Sequence, residues 1–227
     1  MTTADPQMTS PAITWIRRST VGTAWLAIAD RILADGTPGS WGTKPLREIL
    51  RTTVEVDAPA VTDPIIARYA DPERLAWMHA NFTDDSQVAE LDQADSYATR
   101  LYDYARTGRD QIAWIIDRIK TDPAVRDATI TTFQPLTDTS YIPCVSLLDF
   151  WLADGAVQLG AYAHGIDFGT KGYANLVELA ALHHHVADAL GTGVGTFTFT
   201  IKSAHIYDTE LDLMRDICAA ADNASTK

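Results

Sequence analysis

Only two of the 227 residues are cysteines, Cys144 and Cys218, and basic side chains are few, with 18 Lys and Arg against 30 Asp and Glu. Two cysteines build no disulfide framework and show no metal-ligand spacing, so both thiols are expected free, as suits a reducing cytoplasm. A formal charge of −12 leaves no basic stripe for a polynucleotide backbone. Long nucleic acid is excluded on that ground, while a few arginines suffice for one small anion. No apolar run approaches the length of a membrane span. Met1 to Thr20 mixes charge and proline without the apolar core of a signal peptide. Internal repeats and low-complexity tracts are also missing.

What is present is 46% hydrophobic content, enough for one large core and a single domain spanning 1–227. The polar ends, up to about Pro11 and from about Asp222, are expected to fray. Val21, Trp25, Ile28, Ile32 and Leu33 recur at helical spacing up to Asp35-Gly36, and Gly36 to Lys44 is loop by its Gly, Pro and Ser content. Leu50–Val56 reads as a strand and Pro72–Phe82 as a helix capped by Asp71. Ile112, Ile115, Ile116 and Ile119 mark a helix closed by Asp122-Pro123, and Ala128–Phe133 a strand. Val145–Trp151 and Ala156–Tyr162 flank Asp154-Gly155 as a hairpin. Tyr173–Leu190 is the longest helix, Gly195–Lys202 a half-buried strand, and Thr209–Ala221 a last helix. Strands interleaved with helices and hairpins imply an α/β (α+β) fold, a mixed β-sheet with helices packed against it.

Chemistry concentrates between Pro143-Cys144, His164-Gly165-Ile166-Asp167, Asn175 and Ala204-His205-Ile206-Tyr207. Taken singly, Cys144 is a small buried hydrophobe, Asp167 a turn former and Asn175 a polar helix-start residue. His183-His184-His185 point about 100° apart on a helix, so they cannot converge on one metal.

In this order, the four segments resemble the thymidylate synthases and the related pyrimidine nucleotide hydroxymethylases. The resemblance implies that Cys144 is a nucleophile adding to C6 of a pyrimidine, so that C5 attacks the one-carbon group of 5,10-methylenetetrahydrofolate. It places Asn175 on the pyrimidine edge, where an amide complements a uracil-type base. His205 and Tyr207 then hold the sugar, and Asp167 the folate pterin. His164 stands where the family has an arginine, and the expectation is that it pairs with the Cys144 thiolate. Tyr97 resembles the family's tyrosine-glycine segment. Glu73, near Trp77, resembles its proton-shuttling glutamate or is simply an acidic first-turn residue. Arg126 matches the segment that reaches phosphate across a homodimer, although its second arginine is Asp127 here.

With that arginine replaced, with His164 and Gly165 in place of arginine and serine, and with only Ser40-Trp41-Gly42-Thr43 where a loop arginine is expected, the phosphate clamp reads as dismantled. A nucleoside, a free base or another heterocycle is then the expected substrate. The chain stops about twenty residues past Tyr207, short of the family's folate-closing tail, which favours hydroxymethylation over methylation. A non-catalytic binding protein on the same scaffold is the alternative.

Overall fold

The computed structural model describes residues 13–225; the stretch expected to fray up to about Pro11 and the last two residues lie outside them, whereas 222–225, also expected to fray, continue the last helix. Along the chain come β1 (Thr14–Arg18), α1 (Val21–Asp35), β2 (Thr37–Trp41), β3 (Lys44–Val56), α2 (Pro64–Tyr69), α3 (Pro72–Thr83) and the small strands β4 (Gln87–Val88) and β5 (Ala94–Asp95). Then follow α4 (Tyr97–Tyr102), α5 (Gln111–Thr121), β6 (Thr129–Thr131), β7 (Val145–Ala153), β8 (Ala156–Asp167), α6 (Gly172–Leu190), β9 (Gly193–Tyr207) and α7 (Leu211–Ser225). β4 and β5 pair only with each other, and the remaining strands form one sheet in the order β1-β3-β9-β8-β7-β6, with β2 on the far half of β3. The sheet is mixed, since β1 runs parallel to β3 and β8 to β9 while the other pairs are antiparallel. One face is buried under α1, α5 and α6, whose Trp25, Ile28, Ile115, Leu176 and Leu179 pack with Val54, Phe150, Leu159, Phe197 and Phe199.

Local chemistry explains most elements. Thr20 caps α1 in a reciprocal bond with Thr23, Asp110 caps α5 through the Ala113 N–H, and Gly191, at φ +68°, ends α6. Asp154 and Gly155, with φ of +52° and +76°, make the tight turn expected between β7 and β8.

The segment Gly36–Lys44, expected as loop, is instead the hairpin of β2 with the start of β3, registered from Thr37 opposite Glu48 to Trp41 opposite Lys44. Pro38 is tolerated because β2 is an edge strand. β3 begins six residues before its expected start, since exposed Arg51 and half-buried Arg47 and Glu48 hid the alternation.

Burial in the three central strands slips by one residue at a single level. Core-facing positions recur every second residue on either side, but every third across it: Ile49 to Thr52, Ala163 to Ile166, and Ile201 to Ala204. The residues at the slip, Arg51, His164 and Lys202, stand abreast in the register. Arg51 takes φ +61°, a left-handed conformation costing a non-glycine residue about 1–2 kcal/mol. Beyond the slip, Gly165, Asp167, His205 and Tyr207 turn away from the helical core toward a cavity.

The histidine run on α6 behaves as its geometry requires. His183 is buried and donates from Nε2 to the Val157 carbonyl at 2.7 Å, and burial pulls its pKa down to about 4. His184 bonds the Pro59 carbonyl at 3.0 Å, His185 is exposed, and no metal-ligating cluster occurs among the described residues.

The loop entering β7 is held by a buried ion pair. Arg100 on α4 meets the Asp138 carboxylate with both terminal nitrogens, at 2.8 and 2.7 Å, while its other donors reach the Thr132 and Asp95 carbonyls. Asp138 also accepts from the Gln134 N–H at 2.7 Å. Removing one partner strands a buried charge, so Asp138→Ala is expected to lower unfolding stability by about 3–5 kcal/mol in urea titration. A loss under about 1 kcal/mol would show that this clamp does not hold the loop.

Candidate active site

The clamped loop ends at Pro143, and Cys144 follows as the last residue before β7. Its backbone is pinned on both sides. The Val145 N–H donates to the Tyr97 hydroxyl at 2.9 Å, and the His164 N–H donates to the Cys144 carbonyl at 3.1 Å. Tyr97 is buried and its pKa is pushed well up, chiefly by that burial.

The thiol lines a cavity of about 1020 Å³, together with the Tyr97, His164, Asp167, Asn175, His205 and Tyr207 foreseen from sequence. Burial pushes the Cys144 thiol above its ordinary pKa. The Lys171 ammonium and a hydrogen bond from the Tyr141 hydroxyl oppose that shift, and the Asp167 carboxylate reinforces it.

Asn175 is 4% exposed, and its amide nitrogen donates to the Lys171 carbonyl at 3.1 Å. Its Oδ1 is buried without a partner. An unpaired buried acceptor costs about 1–3 kcal/mol, and this one belongs to a residue that lines the cavity.

His205 is also 4% exposed. Its Nδ1 lies 3.4 Å from the Ser203 hydroxyl, which itself donates to Glu48 at 2.5 Å. Burial lowers the imidazole pKa against the pull of Asp167, so the ring is neutral at pH 7. Its centroid is 5.2 Å from that of Tyr207, edge to face. Asp167 spends one oxygen on the Gly169 N–H and the other on the Thr170 hydroxyl, bonds that shape the turn into α6. Its position on the cavity wall leaves lone pairs for a ligand.

Two residues carried over by resemblance lie apart. Glu73 is exposed in the first turn of α3, where its N–H bonds the Asp71 carboxylate, and it does not line the cavity; Arg74, Trp77 and Asn81 of that helix do. Arg126 is exposed beyond α5, its guanidinium folded onto the Ala124 and Val125 carbonyls, and also lies outside the cavity.

Sequence reasoning missed other lining residues. At the hairpin tip, Trp41 lies parallel to the rings of His164 and His205, with centroids at 6.0 and 6.3 Å. A Cβ on Gly165 would sit in van der Waals contact with this indole, at 3.4 Å. Lys44, Arg74, Lys171 and Lys202 line the cavity, and among the described residues none has a carboxylate partner. Four unpaired cations around one cavity, in a chain with 30 acidic residues, form the signal that motif matching overlooked.

Sequence comparison identifies the family. The family model described as thymidylate synthase matches residues 66–226, and the chain belongs to that family, a family of transferases. A relative named "Putative thymidylate synthase" from Methanosarcina barkeri is 31% identical over 180 residues, covering 76% of this chain and 79% of the relative. One of the same name from Methanothermobacter marburgensis is 27% identical over 212 residues, covering 87% and 94%.

Since Cys218 is buried, with its thiol pushed up to about 12, alkylation should report on Cys144. Its raised pKa means the iodoacetamide rate should still climb beyond about pH 8.5, the ordinary thiol midpoint. A plateau reached below pH 7 would contradict this balance of burial and charge.

Proposed function

We propose that the chain transfers a one-carbon unit, by hydroxymethylation or methylation, to C5 of a uracil-type pyrimidine, with Cys144 as nucleophile. The observation that carries this reading is Asn175, whose buried Oδ1 has no partner, on the wall of the cavity that Cys144 also lines. That oxygen suits the N3–H of uracil, and the second amide hydrogen suits O4. Thiolate addition at C6 makes C5 a carbon nucleophile. C5 would then bond to the one-carbon unit and lose its proton, and breakage of the unit's bond to the folate nitrogen would release tetrahydrofolate. Capture of the resulting exocyclic methylene by water, or by hydride from tetrahydrofolate to leave dihydrofolate, would expel the sulfur and give the hydroxymethyl or methyl product. Methylenetetrahydrofolate supplies that unit at the formaldehyde oxidation level. The cavity, about 1020 Å³, has room for a nucleotide and a pterin together, and Asp167, Trp77 and Arg74 are the lining groups suited to the folate.

Neutral His205 and Tyr207 are suited to a sugar hydroxyl. The four unpaired cations favour an anionic substrate, so we assign a pyrimidine nucleotide rather than the nucleoside that the lost arginine motif suggests. Charge-assisted hydrogen bonds contribute about 1.5–3 kcal/mol each, so dUMP is expected to bind at least about tenfold more tightly than deoxyuridine in calorimetric titration. Equal affinities would restore the nucleoside.

The sheet face opposite the helices exposes Trp15, Leu147 and Tyr162 along one row of the register. A homodimer packed through this face would cover them, and only there would Arg126 meet a ligand, in the second copy's cavity. No helix among the described residues is long and apolar enough to cross a membrane, and the two free thiols fit a reducing cytoplasm.

Mass spectrometry of uracil and cytosine nucleotides and nucleosides incubated with methylenetetrahydrofolate tests the reaction. A C5-modified uracil nucleotide is expected from wild type and none from Cys144→Ser. Asn175→Ala should lower kcat/KM by about tenfold or more, as befits a lost base contact of about 1–3 kcal/mol. Product formation by Cys144→Ser would refute the nucleophile, and an unchanged Asn175→Ala would refute the base contact.

A further inference from the structure

The arginine that the sequence motif leads one to expect at position 164 is a histidine here, and that histidine is a poor source of positive charge. Its ring lies on the cavity wall between Trp41 and the Lys202 and His205 side of β9, half-buried. Burial, reinforced by Lys202 and His205, holds it neutral at pH 7. Its defined contribution to Cys144 is a backbone N–H. A buried thiol facing a neutral imidazole gains no counter-charge from it, and an ionised sulfur needs one.

Lys171 is placed to provide that charge. It is the N-cap residue of α6, and its carbonyl accepts from both the Asn175 backbone N–H and the Asn175 side-chain amide, each at 3.1 Å. The residue suited to the pyrimidine edge and the lysine backbone are therefore locked together. The ammonium sits over the Trp77 ring, 4.8 Å from its centroid, on the wall of the cavity that holds the Cys144 sulfur. The nearest acid in sequence, Asp167, has each oxygen bound within its own turn, and no carboxylate pairs with Lys171 among the described residues. An indole face holds a cation in place without neutralising it, which leaves this charge available to a neighbouring anion.

We propose that Lys171, held by Trp77 and by the Asn175 contacts, is the counter-charge that stabilises the Cys144 thiolate, in place of a cation at position 164. The inference rests on Cys144 being the nucleophile. It makes Lys171 a positioning residue that acts through the sulfur. The other titratable groups around the thiol are Tyr141 on its own loop, Tyr97 from α4, Asp167 at the end of β8 and Tyr207 from β9. The tyrosines are neutral near pH 7, their pKa values raised mainly by burial, and Asp167 opposes the thiolate. Of the four cations that line the cavity, Lys171 is the one whose charge bears on the sulfur.

The test is the pH profile of Cys144 alkylation by iodoacetamide, which needs neither substrate nor turnover. Lys171→Met and Lys171→Gln should move the midpoint upward. A midpoint raised by about one pH unit means an about tenfold slower reaction at pH values below both midpoints. Lys171→Arg should keep most of the wild-type profile, whereas His164→Gln should leave it unmoved. Profiles unchanged in both Lys171→Met and Lys171→Gln, or a midpoint moved as far by His164→Gln as by either, would overturn the assignment. Cys144-dependent product formation that persists beside an unmoved Lys171→Met profile would remove Lys171 from this role while leaving the nucleophile in place. If neither lysine variant folds by circular dichroism, a Lys171→Arg midpoint within about one pH unit of wild type supports the assignment, and one raised by more than about one pH unit contradicts it.

Discussion

A thiol must be buried to grip a flat ring yet remain ionisable, and the site is arranged around that conflict. Burial alone drives Cys144 toward the inert neutral form. The protein offsets this with a hydroxyl from Tyr141 and a charge from Lys171, and it fixes the sulfur by bonding the backbone on either side, through Tyr97 and the His164 amide. The Arg100–Asp138 pair lies one step further out and holds the loop that carries all of this. Because that pair is buried on both sides, moving the loop means exposing or stranding a charge.

The sheet contributes direction. If the strands kept a strict two-residue alternation, His205 and Tyr207 would continue the row of Phe197, Phe199 and Ile201 into the helical core. The one-residue slip at Arg51, Lys202 and His164 puts Ala204 and Ile206 in the core instead and releases the two polar rings to the cavity. The same step brings Gly165 and Asp167 beside them, and the bond from the Phe168 N–H to the His205 carbonyl ties the two strand ends together. The positive φ of Arg51 is the local strain this geometry requires.

The sequence made the parts that are local in the chain legible. α1, α3, α5, α6 and the β7–β8 hairpin follow from periodicity, caps and the Asp-Gly turn. Cys144, His205 and Tyr207 are recognisable from the short motifs Pro143-Cys144 and Ala204-His205-Ile206-Tyr207, and Asn175 from its spacing of eleven residues after His164, and all four line one cavity. The features that went unseen are tertiary. Gly, Pro and Ser made β2 resemble loop, since an edge strand needs few of its own hydrogen bonds; the hairpin that brings Trp41 and Lys44 to the cavity was lost with it. Lys171 stands in no motif, and only the α6 N-terminus meeting α3 gives it a place above Trp77. Glu73 failed to reach the cavity for a comparable reason, since it occupies the solvent-facing first turn, one turn before Trp77. Arg126 lies beyond α5 with its guanidinium folded onto neighbouring carbonyls, a tertiary placement off the cavity that its local sequence does not reveal.

These observations describe a thymidylate synthase family member whose cavity is lined by His164, Trp41 and the cations Lys44, Arg74, Lys171 and Lys202. The proposed reaction turns on one act of bond making, the addition of the Cys144 sulfur to C6. Addition there is what loosens hydrogen from C5, whether the product carries a methyl or a hydroxymethyl group. The most direct measurement is therefore release to water of tritium from the C5 position of a uracil nucleotide in the presence of methylenetetrahydrofolate. The account predicts release by the wild-type chain and none by Cys144→Ser; release that survives the serine variant, or its absence from a wild-type chain with nucleotide bound, would contradict it.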